Sequence, residues 1–233
     1  MPTRSAYAPG TFCWADLSTR DLGGSQSFFA GLLGWDFQGP IATLRGVPVA
    51  AINEQHMHES HWNSYVAVES AAATAERAAE LGATIVEPAF EVAPFGALSL
   101  MKDPQGAVFC VWEAGDHIGA GLVNAPGALC WNHLDTRDVE GAQRFYGELF
   151  GWTWSEGICL VGDRMNGSAV ASDDPPTWWA YFAVDNLDRA RAQVVELGGL
   201  VLEGPLPAGP GNFVVAADPA GAMVCLYAGE MDD

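Results

Sequence analysis

WADLSTRDLGGSQSFFAGLLGWDF, residues 14–37, returns 117 residues later as WNHLDTRDVEGAQRFYGELFGWTW, residues 131–154, with 11 of the 24 aligned positions identical. The shared letters are Trp14/Trp131, Leu17/Leu134, Thr19-Arg20-Asp21/Thr136-Arg137-Asp138, Gly24/Gly141, Gln26/Gln143, Phe28/Phe145, Leu32/Leu149 and Gly34-Trp35/Gly151-Trp152. Chance alone gives about one or two such matches, so the chain reads as two copies of one unit.

Each copy opens with a short alternating strand, Phe12 to Leu17 in the first. Asp21 and Asp138 then stand where a helix N-cap is expected. Phe28, Phe29, Leu32 and Leu33 fall on one helical face, as do Phe145, Tyr146, Leu149 and Phe150. Gly34 and Gly151 suit the left-handed residue that closes a helix. Short strands follow at Ile41 to Leu44 and Val47 to Ile52, and then a polar loop from Asn53 to Ser60. A second cycle begins at Trp62 to Val68, continues as an alanine-rich helix over Ala71 to Leu81, and ends in strands at Thr84 to Val86, Ala97 to Lys102 and Val108 to Glu113. The second half matches, with strands at Trp178 to Val184, Leu200 to Leu202, Phe213 to Ala216 and Met223 to Tyr227 around a helix over Leu187 to Leu197. Asp103-Pro104-Gln105-Gly106 and Asp218-Pro219-Ala220-Gly221 are turns by their chemistry. The chain therefore holds four strand–helix–three-strand modules, an α+β pattern. The expected organisation is a first domain over 1–114, a glycine-rich linker over 115–127 and a second domain over 128–233, each able to bury a core of its own.

Composition narrows the function. Ten basic against 29 acidic residues give a formal charge of -19. Such a chain neutralises no phosphates, which argues against nucleic acid as a partner. The same field concentrates cationic small molecules. No apolar run approaches the roughly 20 residues that span a bilayer, and the N-terminus lacks the apolar stretch of a secretory signal. A cytoplasmic protein without a membrane partner is expected. The five cysteines form no CxxC pair and four sit in apolar runs, Cys13, Cys110, Cys130 and Cys225, so they read as buried thiols. There is no GxGxxG, no phosphate loop and no GxSxG elbow, which leaves nucleotide cofactors and serine hydrolysis without support from motifs.

The helix signature, the strands Tyr65-Val66-Ala67-Val68 and Tyr181-Phe182-Ala183-Val184, the helix ends Leu81-Gly82-Ala83 and Leu197-Gly198-Gly199, and the two DPxG turns together resemble the glyoxalase/bleomycin-resistance/extradiol-dioxygenase group, the vicinal oxygen chelate superfamily. More narrowly the chain is similar to actinobacterial tandem glyoxalase-like proteins, some described as hydroxylases of aromatic-antibiotic gene clusters. The resemblance covers nearly the whole chain and implies two glyoxalase-like domains whose sheets curl into half-barrels around a cavity. In metal-dependent members, ligands stand on the first, fifth and eighth strands. Those places hold Trp14, Asn63 and Cys110 in the first copy, and Trp131, Trp179 and Cys225 in the second. Indole has no lone pair to offer, so neither set forms a His/Glu triad and no metal or other cofactor is expected.

Alternation along the strands adds Asp16, Tyr65 and Trp112 to the first cavity wall, and His133, Tyr181 and Tyr227 to the second. Seven of these twelve residues are Trp or Tyr, flat apolar surfaces with a hydrogen-bonding edge. They suit a planar aromatic ligand, and with the acidic field one that carries an amine. His133, with Asp16 at its repeat-equivalent position, is the candidate for proton transfer. Asp135 could orient His133, although alternation spaces them by roughly 6.6 Å along the strand. His56, His58 and His61 form an HxHxxH cluster that reads as a solvated loop or, less simply, a zinc site. The expected function is metal-independent binding of a planar aromatic natural product in antibiotic biosynthesis or self-resistance. The alternative is an enzyme, of hydroxylase, isomerase or lyase type, on an aromatic polyketide-like substrate, using His133 and Asp16 or a noncanonical metal site. Four modules in one chain make a monomer reasonable, with a homodimer open.

Overall fold

Asp21 and Asp138 cap the two signature helices as their spacing predicts, each carboxylate accepting the backbone N–H three residues on, from Gly24 and Gly141. A Cβ at either glycine would run into the cap carboxylate, which explains why both copies keep glycine there. Gly34 and Gly151 close the same helices with φ of 73°. The structure, a computed structural model, describes residues 3–56 and 59–231. The first copy runs β1 (Phe12–Thr19), α1 (Leu22–Leu33), β2 (Asp36–Gln38), β3 (Ile41–Leu44), β4 (Val47–Glu54), β5 (His61–Val68), α2 (Ala71–Glu80), β6 (Thr84–Val92), β7 (Gly96–Lys102) and β8 (Val108–Ala114). The second repeats it as β9 (Leu129–Thr136), α3 (Val139–Phe150), β10 (Thr153–Ser155), β11 (Ile158–Val161), β12 (Arg164–Ala171), β13 (Thr177–Ala183), α4 (Leu187–Glu196), β14 (Leu200–Ala208), β15 (Gly211–Ala217) and β16 (Met223–Ala228).

Each copy builds one open eight-stranded sheet, ordered β2-β3-β4-β1-β5-β8-β7-β6 and β10-β11-β12-β9-β13-β16-β15-β14. The modules meet where β1 runs antiparallel to β5, and β9 to β13. Neither sheet closes into a barrel. The first curls enough that Ile41 of β3 and Val92 of β6, from opposite ends of the strand order, pack into one cluster with Trp14, Tyr65 and Trp112. The β6 and β14 strands run longer than their sequences suggest. Pro88, Pro205 and Pro207 interrupt the strand pattern, yet both strands are sheet edges, where a missing N–H costs no ladder bond.

The expectation that each copy buries its own core needs correction. One large core joins Phe28, Phe29, Leu32 and Trp35 of the first copy to Phe182, Val194, Val214 and Leu226 of the second. The other joins Phe145, Tyr146 and Trp152 of the second copy to Val66, Phe109 and Ala75 of the first. The first helix of each copy thus packs between its own sheet and the second helix of the other copy, α1 against α4 and α3 against α2, and the repeat's signature supplies the joints. Trp35 donates its indole N–H to the Gly127 carbonyl just before β9, and Trp152 donates to Gly10 just before β1. Asp103 and Asp218, the turn aspartates, receive the hydroxyls of Tyr146 and Ser25 from the opposite copy. At the centre Ser64 of β5 donates to Asn132 of β9 across 2.7 Å. With the outer faces joined, the inner face of each sheet is left to form a cup. Among the described residues no helix is long and apolar enough to cross a membrane.

Candidate functional site

The twelve residues marked out on the strands divide into two cups, one on each sheet. The clusters these residues join therefore lie within a copy and not between copies. In the first cup Trp14, Tyr65, Cys110 and Trp112 pack together, and Asp16 and Asn63 sit opposite one another on β1 and β5. All six are buried. Asp16 accepts from Asn63 Nδ2 at 2.8 Å, Tyr65 Oη at 2.8 Å and Asn53 Nδ2 at 3.2 Å. Burial pushes its carboxyl above the ordinary range, partly offset by the Asn63 and Tyr65 hydrogen bonds. The Asn63 Oδ1 finds no partner.

The segment after β8 covers this first cup. Trp112 donates to the His117 carbonyl at 2.8 Å, and the His117 ring lies edge-on to Trp14 at 4.6 Å. Ala120 and Val123 are buried in the same cluster, held from outside by Tyr7, whose hydroxyl donates to the Ala120 carbonyl. Residues 115–127 thus do more than join the copies. They fill one cup.

The second cup is half open. Trp131, His133 and Trp179 are partly exposed, while Tyr181, Cys225 and Tyr227 form its buried floor. His133 projects from β9 with both ring nitrogens engaged: Nδ1 lies 2.7 Å from Ser168 Oγ and Nε2 lies 3.3 Å from Asp135 Oδ1. The side chains of His133 and Asp135 bend toward each other across the spacing that alternation imposes. Ser168 comes from β12, which runs parallel to β9 and places Ser168 beside His133 in register. Its oxygen also accepts the Trp131 indole N–H at 2.8 Å, and Trp179 donates to Asp135 Oδ2 at 2.8 Å. Burial raises the Asp135 carboxyl, but the hydrogen bonds from His133 and Trp179 outweigh it and hold the group below the usual range. Asp135 is therefore an anion at neutral pH.

His133 and Asp16, joined in one expectation as an acid–base pair, line different cups. Two participants escaped sequence reading. Ser168 has alanine, Ala51, at its counterpart in the repeat, and Asn53 lies in what reads as loop. Only the parallel pairing of β4 with β1 and of β12 with β9 reveals them. His58 of the HxHxxH cluster lies outside the described residues. A shallow groove of about 310 Å³ between α1 and α4 is lined by none of the twelve.

A metal fits neither cup. The first offers one carboxylate already saturated by three donors, beside a Cys110 thiol whose ionisation burial opposes. The second offers an imidazole with both nitrogens in use, an Asp135 carboxylate whose two oxygens are taken up by His133 and Trp179, and Cys225, whose thiol burial pushes up to about 12. Among the described residues no three His, Cys, Asp or Glu side chains converge as ligands.

A family model described as a glyoxalase-like domain matches residues 14–112 and again 131–227. CFP32 of Mycobacterium tuberculosis, whose name places it provisionally among the glyoxylases, is 34% identical over 252 residues, covering 96% of each chain. The anthracycline biosynthesis protein DnrV of Streptomyces peucetius is 29% identical over 253 residues, covering 93% of this chain and 92% of that one. Among solved structures, the Mn(II)-bound glyoxalase from Novosphingobium aromaticivorans superposes with a TM-score of 0.68 at 14% identity, over 96% of this chain and 83% of the other. The 2,3-dioxygenase LapB from Pseudomonas sp. KL28 does so with a TM-score of 0.63 at 16% identity, over 96% and 93%. At such identities these two structures speak to the fold alone.

Proposed function

The chain belongs to the glyoxalase-like domain family, and from that premise we propose that it binds a planar aromatic natural product bearing an amine, without a metal, in the second cup. The observation that carries this reading is the replacement of metal-binding chemistry by Trp131, Trp179, Tyr181 and Tyr227 around an ionised Asp135. Flat rings stack on indole and phenol faces, and a protonated amine is attracted both by those faces and by the carboxylate. The charge of -19 draws such a cation toward the protein. The setting we infer, antibiotic biosynthesis or self-resistance, is supported by the name of the Streptomyces relative, an anthracycline biosynthesis protein.

Titrating intrinsic tryptophan fluorescence with a panel of amine-bearing and neutral polycyclic aromatics tests the proposal. Quenching should be saturable, and Trp179→Ala should weaken binding by about 10-fold, the loss of an aromatic contact of about 1–1.5 kcal/mol. Trp14→Ala, in the filled cup, should leave affinity unchanged. Absence of quenching across the panel refutes the reading.

A second reading has its own support. The contacts of His133 to Ser168 and Asp135 form a proton relay at the wall of this cup, so the bound aromatic could also be a substrate for acid–base chemistry. His133→Ala would then abolish turnover of a bound compound while sparing its binding.

A further inference from the structure

The directions of the hydrogen bonds around His133 are not free. Asp135 is ionised and can only accept, so the proton of a neutral imidazole sits on Nε2, facing Asp135 Oδ1. Nδ1 is then an acceptor, and the hydroxyl 2.7 Å away must donate to it. Trp131 can only donate, and it takes one lone pair of the same Ser168 oxygen. The remaining lone pair is uncommitted. The chain therefore runs from Trp131 through the Ser168 hydroxyl to His133, and from His133 to Asp135, with Trp179 steadying the carboxylate from its far side.

We propose that Ser168 is a nucleophile activated by His133 and Asp135, and that the second cup cleaves activated carboxylic esters by acyl transfer. Acid, imidazole and hydroxyl stand in the order that turns a serine into a nucleophile in unrelated folds, with the two ring nitrogens exchanged. The Ser168 oxygen attacks the ester carbonyl carbon and its proton passes to Nδ1 of His133. The imidazolium so formed is stabilised by Asp135. As the acyl–oxygen bond breaks, His133 returns the proton to the departing alcohol. Water then attacks the acyl-serine, giving its proton to His133 and releasing the carboxylic acid, and the hydroxyl of Ser168 is restored.

The first copy supplies an internal comparison. There the positions of Ser168, His133 and Asp135 hold Ala51, Asp16 and Ser18, and the cup is covered by residues 115–127. All three members of the relay are particular to the copy whose cup is half open. Ser168, 8% exposed, stands beside the partly exposed His133 and Trp131 and hydrogen-bonds both. No strand-to-helix elbow presents the hydroxyl. It comes from the middle of β12.

The proposal shares the cup with the binding reading but needs no aromatic ligand, so its test is separate. The full chain is treated with a fluorophosphonate and, in parallel, with p-nitrophenyl acetate. The expected result is one label per chain, located on Ser168 by peptide mass spectrometry, with ester turnover that Ser168→Ala abolishes and His133→Ala lowers by about 100-fold or more. Intrinsic fluorescence and urea unfolding confirm that each variant is folded. Ser168→Cys adds an independent arm, since its thiol should react with iodoacetamide faster than the same cysteine in a His133→Ala background. A folded wild-type chain that takes no label on Ser168, or ester turnover undiminished in Ser168→Ala, overturns the proposal. Labelling without any aromatic quenching would sink the binding reading and leave this one standing.

Discussion

Asp16 separates two kinds of buried acid. Replacing it with alanine removes the acceptor of three donors, two of them buried: Tyr65 Oη, and Asn63 Nδ2, which keeps only a long bond to Ser18 Oγ at 3.4 Å. Each buried donor left without a partner costs about 1–2 kcal/mol, so Asp16→Ala should destabilise the fold by about 2–4 kcal/mol. Asparagine at the same place keeps one acceptor and loses the charge. Its amide would meet a donor on one side, but Asn63 can turn its own amide and present Oδ1, which has no partner in the native arrangement. Asp16→Asn should therefore lie within about 1 kcal/mol of wild type at neutral pH. Its pH dependence carries more information. Burial raises the Asp16 carboxyl above its ordinary range in the folded state. A group raised in this way stabilises the fold fully only below its unfolded value, about 3.9, and that contribution is lost as pH rises through the folded value. Asparagine has no such loss, so Asp16→Asn should gain on wild type between pH 4 and pH 7. Urea unfolding followed by tryptophan fluorescence at several pH values in that range reads the difference. If Asp16→Asn is as damaging as Asp16→Ala at pH 7, or loses ground to wild type as pH rises, the carboxylate is needed as a charge and the reasoning fails.

Two further outcomes follow from the packing between copies and from the thiols. Tyr146→Phe removes a hydroxyl that accepts from Trp178 Nε1 at 2.7 Å and donates to Asp103 Oδ2 at 3.0 Å, both inside the shared core. The fold should lose about 2–3 kcal/mol, read as a lower urea midpoint, and a loss below about 0.5 kcal/mol would remove Tyr146 as a joint between the copies. Burial pushes Cys159 and Cys225 up to about 12 and raises Cys13, Cys110 and Cys130 as well. At pH 8 the native protein should react with fewer than one equivalent of a disulfide reagent and the unfolded protein with all five thiols; rapid modification of two or more in the native state would contradict the burial described.

How much was legible depended on whether a feature is local. Capping by Asp21 and Asp138 and the left-handed glycines after the helices need only a few neighbouring residues, and the sequence names them. Strand alternation placed Trp14, Asp16, Asn63 and Tyr65 on one face because a two-residue period is a property of the strand itself. The proline-bearing ends of β6 and β14 were missed since edge position, which tolerates proline, is decided by strand order. Ser168 was missed for a related reason: its partner His133 is 35 residues away, and the parallel register of β9 and β12 brings them together.

The repeated segment that opens each copy determined that the chain is two copies of one unit, and the family resemblance implies that Trp14, Trp131 and Trp179 stand at three of the six places where metal-dependent members hold ligands. Tertiary structure decided what the repetition is for. Of the eleven shared letters, only Trp14 and Trp131 face a cup. Others, among them Leu17/Leu134, Phe28/Phe145 and Trp35/Trp152, sit in the cores that join one copy to the other. The physical reason is that a helix face records that it must be buried and not what buries it. Which element of the other copy covers α1, and which of two similar cups remains open, depends on long-range packing that no local pattern encodes.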